Sequence, residues 1–299
     1  MDILMNFING FCMALADSVP GVSGGTIAFI LGFYDKFIGS LNNLIKGNKE
    51  ERKAAIIFLV KLMSGWIVGF LIAMAFLANI VETKIYVVSS VFLGLIIFAI
   101  PVIIMEEKET LKGKYKNSIF TLIGILVVVA ITYFNPASGQ GMNVNIDNLS
   151  IGLILYTLIA GMVSISAMVL PGISGSTLLL IFGLYMPIVS AIKECMHLNL
   201  SYLPIIIVFA IGIIIGILLT IRIIKISLEK HRSAMIYLII GLMIGSLYAI
   251  VMGPTTLEIP QKAMDFSTFN ILWFIVGGLI IGGLQGLKII IEKKTAQKK

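Results

Sequence analysis

The 299 residues are 59% hydrophobic and only 12% charged, with a mean hydropathy of +1.06. Soluble domains are nearer a quarter charged, so this composition excludes a soluble enzyme, a nucleic-acid-binding domain, a disordered chain and a secreted disulfide scaffold. The net charge of +7 then reads as Lys and Arg held in loops on the cytoplasmic side of a polytopic membrane protein.

In chain order, the start MDILMNFINGF has no basic n-region and no small-residue cleavage site, so it is not read as a removable signal peptide. An apolar stretch over 3–40 is broken in its middle by Pro, Gly and Ser. Three spans follow, at about 55–80, 86–105 and 118–134. A second broken stretch covers 151–190, and three more spans lie at about 205–224, 235–252 and 269–287. None of these runs alternates with period two, so the expected class is all-α. Segment 3–16 is too short to cross a bilayer as a helix, which favours a re-entrant hairpin; 151–170 is long enough, so a fully spanning hairpin stays open.

Of the 22 Lys and Arg, 18 fall in the loops around 36–53, 108–116 and 222–232 and in the tail after 287. If each broken stretch enters and leaves on one side, rich and poor loops alternate without exception. Both termini are then cytoplasmic, in a multi-pass protein of the cell membrane.

The chain repeats itself at an offset of 151 residues. Residues 20–34 read PGVSGGTIAFILGFY and residues 171–185 read PGISGSTLLLIFGLY. The same ungapped offset matches Gly10 with Gly161, Gly65 with Gly216, Tyr86 with Tyr237 and Gly94 with Gly245. Each half, 1–150 and 151–299, holds one broken hairpin and three spans. That number of crossings is odd whichever form the hairpin takes, so the halves have opposite orientations. This is the inverted-topology repeat of many secondary transporters, whose site lies between the halves near the midplane.

PGVSGG and PGISGS cannot be continuous helix, because Pro lacks a donor and paired Gly is costly. A helix ends near Val19 and another starts after Ser23, whose hydroxyl is an N-cap with Thr26 three residues on; Ser174 and Thr177 repeat the arrangement. Helix N-termini with free N–H groups are ready for an anion, and glycine lets a headgroup come close. The bland alternative is a pair of glycine hinges packed on each other. Two charges fall in the membrane zone, Asp17 and Lys61. Lys61 shares a face with Gly65 and Gly69, a stripe that should meet another helix. Lys61 either acts there or snorkels to the surface; Asp17 acts in coupling, caps a helix or pairs with Lys61. Their repeat counterparts are Met168 and Gly212. Arg222, at a helix end, reads as a snorkelling cation kept as a third charge candidate. Gly212/Gly216, Gly241/Gly245 and Gly278/Gly282 read as close-packing pairs. Cys12 and Cys195 give no metal spacing, and nothing points to a metal or a cofactor.

ADSVPGVSGGTIAFILGFY followed by SAMVLPGISGSTLLLIFGLY resembles the bacterial polyprenyl-phosphate transporters of the PopT type, formerly a membrane family of unknown function. The resemblance covers nearly the whole chain. It implies a translocase, not an enzyme, that returns undecaprenyl phosphate across the cytoplasmic membrane for cell-wall synthesis. The partner is then a polyprenyl phosphate in the bilayer; coupling to a proton or a cation is left open. The motif positions it carries over are Asp17, Pro20, Gly21, Ser23, Gly24, Gly25 and Thr26, and Pro171, Gly172, Ser174, Gly175, Ser176 and Thr177. On this reading the anion held there is the lipid phosphate. Two alternatives stand beside it. A polyprenyl-diphosphate phosphatase would want a general acid or base and cationic clamps, yet no His or Glu lies near either motif. A small-anion or ion-coupled transporter on the same scaffold is separated from the first reading only by the resemblance.

Cysteines placed near Gly47, Gly113 and His231 should be shielded from an impermeant thiol reagent applied outside, while those near Gly139, Asn199 and Gly253 should label. Labelling near Gly113 would break the orientation and with it the inversion.

Overall fold

The structure is a computed structural model. It describes residues 2–17, 23–73, 78–134, 150–196, 198–256 and 260–296. Among these every regular element is helical, and six helical stretches are long and apolar enough to cross a membrane: Lys49–Ile72, Lys84–Glu106, Tyr115–Tyr133, Ile151–Val169, Leu200–Lys230 and Arg232–Thr255.

The first broken stretch is α1 (Asp2–Asp17), α2 (Gly24–Ile30) and α3 (Tyr34–Lys46). Two spans follow as α4 (Lys49–Ile72) and α5 (Ala78–Glu106), whose helical path is interrupted at Lys84. A single turn, α6 (Lys108–Leu111), leads to α7 (Ile119–Tyr133). The second broken stretch is α8 (Ile151–Val169), α9 (Gly175–Ile181) and α10 (Tyr185–Met196), and α11 (Leu203–Lys230), α12 (Arg232–Met252) and α13 (Ile271–Ala296) complete the chain. The first span, expected at 55–80, runs earlier. Asn48 accepts from the Glu51 N–H and Glu51 accepts from the Asn48 N–H, both at 2.9 Å, and this capping box makes the charged run from Lys49 a helical turn rather than a loop. The span expected at 205–224 continues to Lys230 through a polar end where Lys225 and Glu229 approach to 3.7 Å.

A shift of 151 residues lays α2 on α9 and carries α1, α3, α4, α5 and α7 onto α8, α10, α11, α12 and α13. Packing respects the same correspondence. α1 lies on α4 as α8 lies on α11. The other two pairs exchange partners between halves: α5 packs on α13, and α7 on α12. Neither half therefore closes its own helical surface. Glycines set the spacing at these contacts. A Cβ on Gly69 would fall 2.7 Å from the Phe11 carbonyl oxygen, and one on Gly216 would fall 2.6 Å from that of Met162. Gly65 and Gly212 are likewise pressed against the backbones of α1 and α8, and Gly241 and Gly245 against α7. The third expected pair divides: Gly278 meets the Phe98 ring, whereas Gly282 faces open space.

One end of the bundle is tied by charge. Arg232, at the start of α12, donates to Asp35 of α3 at 2.7 Å and grips both carboxylate oxygens of Glu107, beyond α5. Gln285 of α13 donates to Glu106 at 3.0 Å nearby. At the far end of α5, about 30 Å away by helical rise, the Tyr86 hydroxyl donates to the Lys262 carbonyl at 3.0 Å. The Lys- and Arg-rich loops thus share one end and two of the sparse ones adjoin at the other.

Burial alone would raise Glu107, but hydrogen bonds from Arg232 and Thr110 outweigh it and hold the carboxyl below the ordinary glutamate range. A group depressed in the fold stabilises it above its unfolded value, and that contribution is lost as pH falls through the depressed folded value. Glu107→Gln should therefore lower thermal stability at neutral pH by about 1 kcal/mol, a modest figure because Arg232 is more than a third exposed. The difference between variant and parent melting temperatures should vanish in acid; a difference that is independent of pH would remove the ion pair from the account.

Candidate functional site

The starts of α2 and α3 meet the break that follows α8. Ser23 has extended backbone angles and caps α2, its hydroxyl accepting from the Thr26 N–H at 3.3 Å. The Ser23 and Thr26 hydroxyls lie 3.2 Å apart, and both reach the second loop. Thr26 Oγ1 accepts from the Gly172 N–H at 2.7 Å, and Ser23 Oγ lies 3.4 Å from the Leu170 carbonyl oxygen. Tyr34, at the start of α3, donates to the Val169 carbonyl at 3.1 Å. Polar side chains of the first loop thereby satisfy the backbone where α8 ends. Ser23, Thr26 and Tyr34 are all buried. Gly172 holds a positive φ of 90°, and Gly32 and Gly183 make the matching turns after α2 and α9 at 72° and 65°.

Asp17 ends α1 and turns back onto α2. One carboxylate oxygen accepts from the Gly24 N–H at 2.6 Å and the other from Trp66 Nε1 at 3.1 Å. A carboxylate thus already occupies the N-terminus of α2, where the helix end favours an anion. Trp66 stacks on Phe70 with ring centroids 5.0 Å apart, which fixes the indole N–H toward Asp17. A Cβ on Gly24 would fall 2.8 Å from Asp17, and one on Gly25 3.0 Å from the Val169 oxygen. One on Gly175 would fall 2.8 Å from the Ser164 oxygen. At these three positions the space that glycine leaves open is filled by protein.

The crossing is one-sided. Met168 stands where Asp17 stands and packs beside Gly175. Tyr185, counterpart of Tyr34, is exposed, and Thr177, counterpart of Thr26, makes no side-chain hydrogen bond to a described residue. Ser174 and Pro171 are buried in the second loop. Pro20 and Gly21 lie outside the described residues, as does the side chain of Ser176. Asp17 acts as a cap and does not pair with Lys61, which is half-buried and forms no ion pair with a described residue. Arg222 is exposed on α11, likewise without one. Trp66, Tyr34 as a donor and Arg232 were not among the expected site residues. An indole N–H inside an apolar span needs a partner, and Asp17 was the only carboxylate that the sequence places within the membrane, so that pairing had a signal in the sequence.

The family model described as VCA0040-like, undecaprenyl phosphate translocase-like, matches residues 13–268. The chain belongs to this family. It is 34% identical to a polyprenyl-phosphate transporter of Staphylococcus aureus over 259 residues, 84% of this chain and 87% of that one. It is 30% identical to a polyprenyl-phosphate transporter of Vibrio cholerae over 257 residues, 83% and 77% of the two chains. No solved structure matches it. With six spanning-length helices among the described residues, this member of the translocase-like family is a multi-pass membrane protein.

Thr26→Val removes the acceptor for a buried N–H and should cost about 1–3 kcal/mol, read as a lower melting temperature. Thr177→Val, at the matching position of the second loop, should cost little. Equal losses would mean that the two loops support each other symmetrically.

Proposed function

We propose that the protein is a translocase, not an enzyme, that carries undecaprenyl phosphate from the outer to the inner leaflet of the bacterial cytoplasmic membrane, recycling the lipid carrier of cell-wall synthesis. The observation that carries this reading is the polar crossing of two broken loops inside an apolar helical body, in a chain whose relatives are named polyprenyl-phosphate transporters. The two halves, 1–150 and 151–299, have inverted topology and rock about the crossing, with both termini in the cytoplasm. The lipid phosphate sits at the two loops, within reach of Pro20, Gly21, Ser23, Gly24, Gly25 and Thr26 and of Pro171, Gly172, Ser174, Gly175, Ser176 and Thr177. The polyprenyl chain stays in the bilayer.

Asp17 gives this reading its coupling step. Ionised, it competes with a phosphate for the Gly24 N–H and repels it. Protonated, it holds that N–H more weakly and admits the anion. Proton uptake and phosphate entry are then linked at one donor. Lys61 and Arg222 have no part in this step and stand as charges near the path.

The test uses purified protein in liposomes carrying labelled undecaprenyl phosphate, with headgroup sidedness and free phosphate measured together. Sidedness should change without phosphate release, and a pH gradient should alter the rate. Asp17→Asn keeps an acceptor for Gly24 but not the charge, and should abolish the response to the gradient. Phosphate release would favour the phosphatase reading; normal transport with intact pH dependence in Asp17→Asn would remove Asp17 from coupling.

A further inference from the structure

At the end tied by Arg232, the two carboxylates are held in different ways. Arg232 donates to Glu107 from Nε and Nη2, one to each carboxylate oxygen, and the Glu107 side chain is only 16% exposed. A planar guanidinium bound at two points by a largely covered carboxylate has its direction fixed. Asp35 takes a single bond, from Nη1 at 2.7 Å, and its side chain is 51% exposed. Water reaches that pair, so the bond is weak enough to break and re-form. The two arms also join different parts. Arg232 starts α12 and Glu107 follows α5, long helices that pack on each other, whereas Asp35 belongs to α3, in the first broken stretch. Glu107 thus aims the guanidinium, and Asp35 is the arm that can let go.

Both partners of that single bond are connected to the crossed loops. Asp35 follows Tyr34 in the first turn of α3, and the buried Tyr34 hydroxyl donates to the Val169 carbonyl where α8 ends. Arg232 shares α12 with Leu242, about 15 Å further along the helix. A Cβ on Gly172 would fall 2.5 Å from the Leu242 carbonyl oxygen, so α12 lies directly against the second loop. The crossing therefore reaches Asp35 through α3 and Arg232 through α12. The repeat supplies no counterpart at the opposite end. A shift of 151 residues carries Asp35 to Met186 and Arg232 back to Val81, and these cannot form an ion pair.

We propose that the Arg232–Asp35 bond is a releasable latch between the first broken stretch and the long helices, and that Tyr34 ties its state to that of the crossing. While Tyr34 holds Val169, Asp35 stays against Arg232 and this end is closed. When the crossing rearranges, α3 swings away and the end opens, and Glu107 keeps the guanidinium in place for reclosure. Because the second half has no such bond, an inverted repeat that would otherwise favour neither end is biased towards closing this one. As a step of alternating access the latch rests on the transport reading; the distance that reveals it does not.

The experiment uses the full chain in phosphatidylcholine nanodiscs, with Cys12→Ala and Cys195→Ala as background. Spin labels go on Gly39→Cys in α3, where a Cβ meets nothing within 4 Å, and on the exposed Glu109→Cys in α6. Pulsed electron paramagnetic resonance then reads the distance between them. The parent should show one dominant short distance. Asp35→Asn and Arg232→Gln should each raise the ratio of long to short distances about tenfold, equivalent to about 1.4 kcal/mol. Tyr34→Phe, which removes neither charge, should raise it as well. An ion pair that only stabilises the fold would lower the melting temperature and leave the distances where they are. Unchanged distances in both Asp35→Asn and Arg232→Gln overturn the latch; a response in those two without one in Tyr34→Phe overturns its link to the crossing. The same proteins are assayed in liposomes for movement of undecaprenyl phosphate. If the distances respond but the parent moves no lipid, the transport reading fails and the latch stands; if the parent moves lipid and the distances do not respond, the latch fails and the transport reading stands.

Discussion

A helix that stops inside an apolar body leaves N–H and C=O groups that must be satisfied by protein, and the whole arrangement follows from how this chain does it. Where α8 ends, the Val169 and Leu170 carbonyls and the Gly172 N–H are met by Tyr34, Ser23 and Thr26, residues about 140 positions earlier. The start of α2 is met by Asp17 and Ser23. The second loop's break is thus closed by the first, and the halves cannot separate without exposing these groups. A contact made of several short side-chain bonds also fixes register in a way that apolar packing, which tolerates sliding, does not.

Helix exchange reinforces the same union. Because α5 packs on α13 and α7 on α12, the long helices cross-link the halves while α1 with α4 and α8 with α11 stay within them. Two kinds of surface result. The exchanged pairs form a frame, and the two units made of a broken stretch and its first span meet each other through α3 on α11 and α2 on α8. Glycine at these contacts brings backbones close enough that dispersion holds helices together in a medium as apolar as their side chains.

Much of this was legible. All-helical class, the two breaks, the Ser23 cap and the stripe of Gly65 and Gly69 follow from composition, proline and glycine placement and helical spacing. The repeat was visible because Pro, Gly, Ser and Tyr matched in order. What it concealed was difference. Tyr34 and Tyr185 are the same residue at matched positions, yet one is buried on the other half's backbone and the other is exposed. Identity at a repeat position records common local geometry; the tertiary partner depends on what the opposite half presents. The motif glycines were likewise read as room for a ligand, whereas at Gly24, Gly25 and Gly175 the room is taken by protein. Sequence shows that a side chain is missing and not what fills its place. Arg232 escaped notice because one basic residue among many in a loop looks like a solvated charge until its two carboxylates, nearly 200 and 125 residues away, are folded beside it.

The difference between the loops has a consequence for how a proton could drive the cycle. Two equivalent anion-ready loops would offer a phosphate two equal sites and no direction of response. Here the first helix start already holds a carboxylate, and Met168 supplies none to the second. On the proposed reading, proton uptake at the crossing therefore enters through the first half, at Asp17. The polar bonds between loops carry it onward. Asp17 holds Gly24, Ser23 caps the same turn through the Thr26 N–H, and Thr26 holds Gly172. On that reading, a change at Asp17 that shifts the start of α2 bears on the bond from Gly172 to Thr26 in the same turn. On the proposed reading the first loop senses and the second responds, a division of labour that exists because the repeat is alike in backbone and unlike in charge.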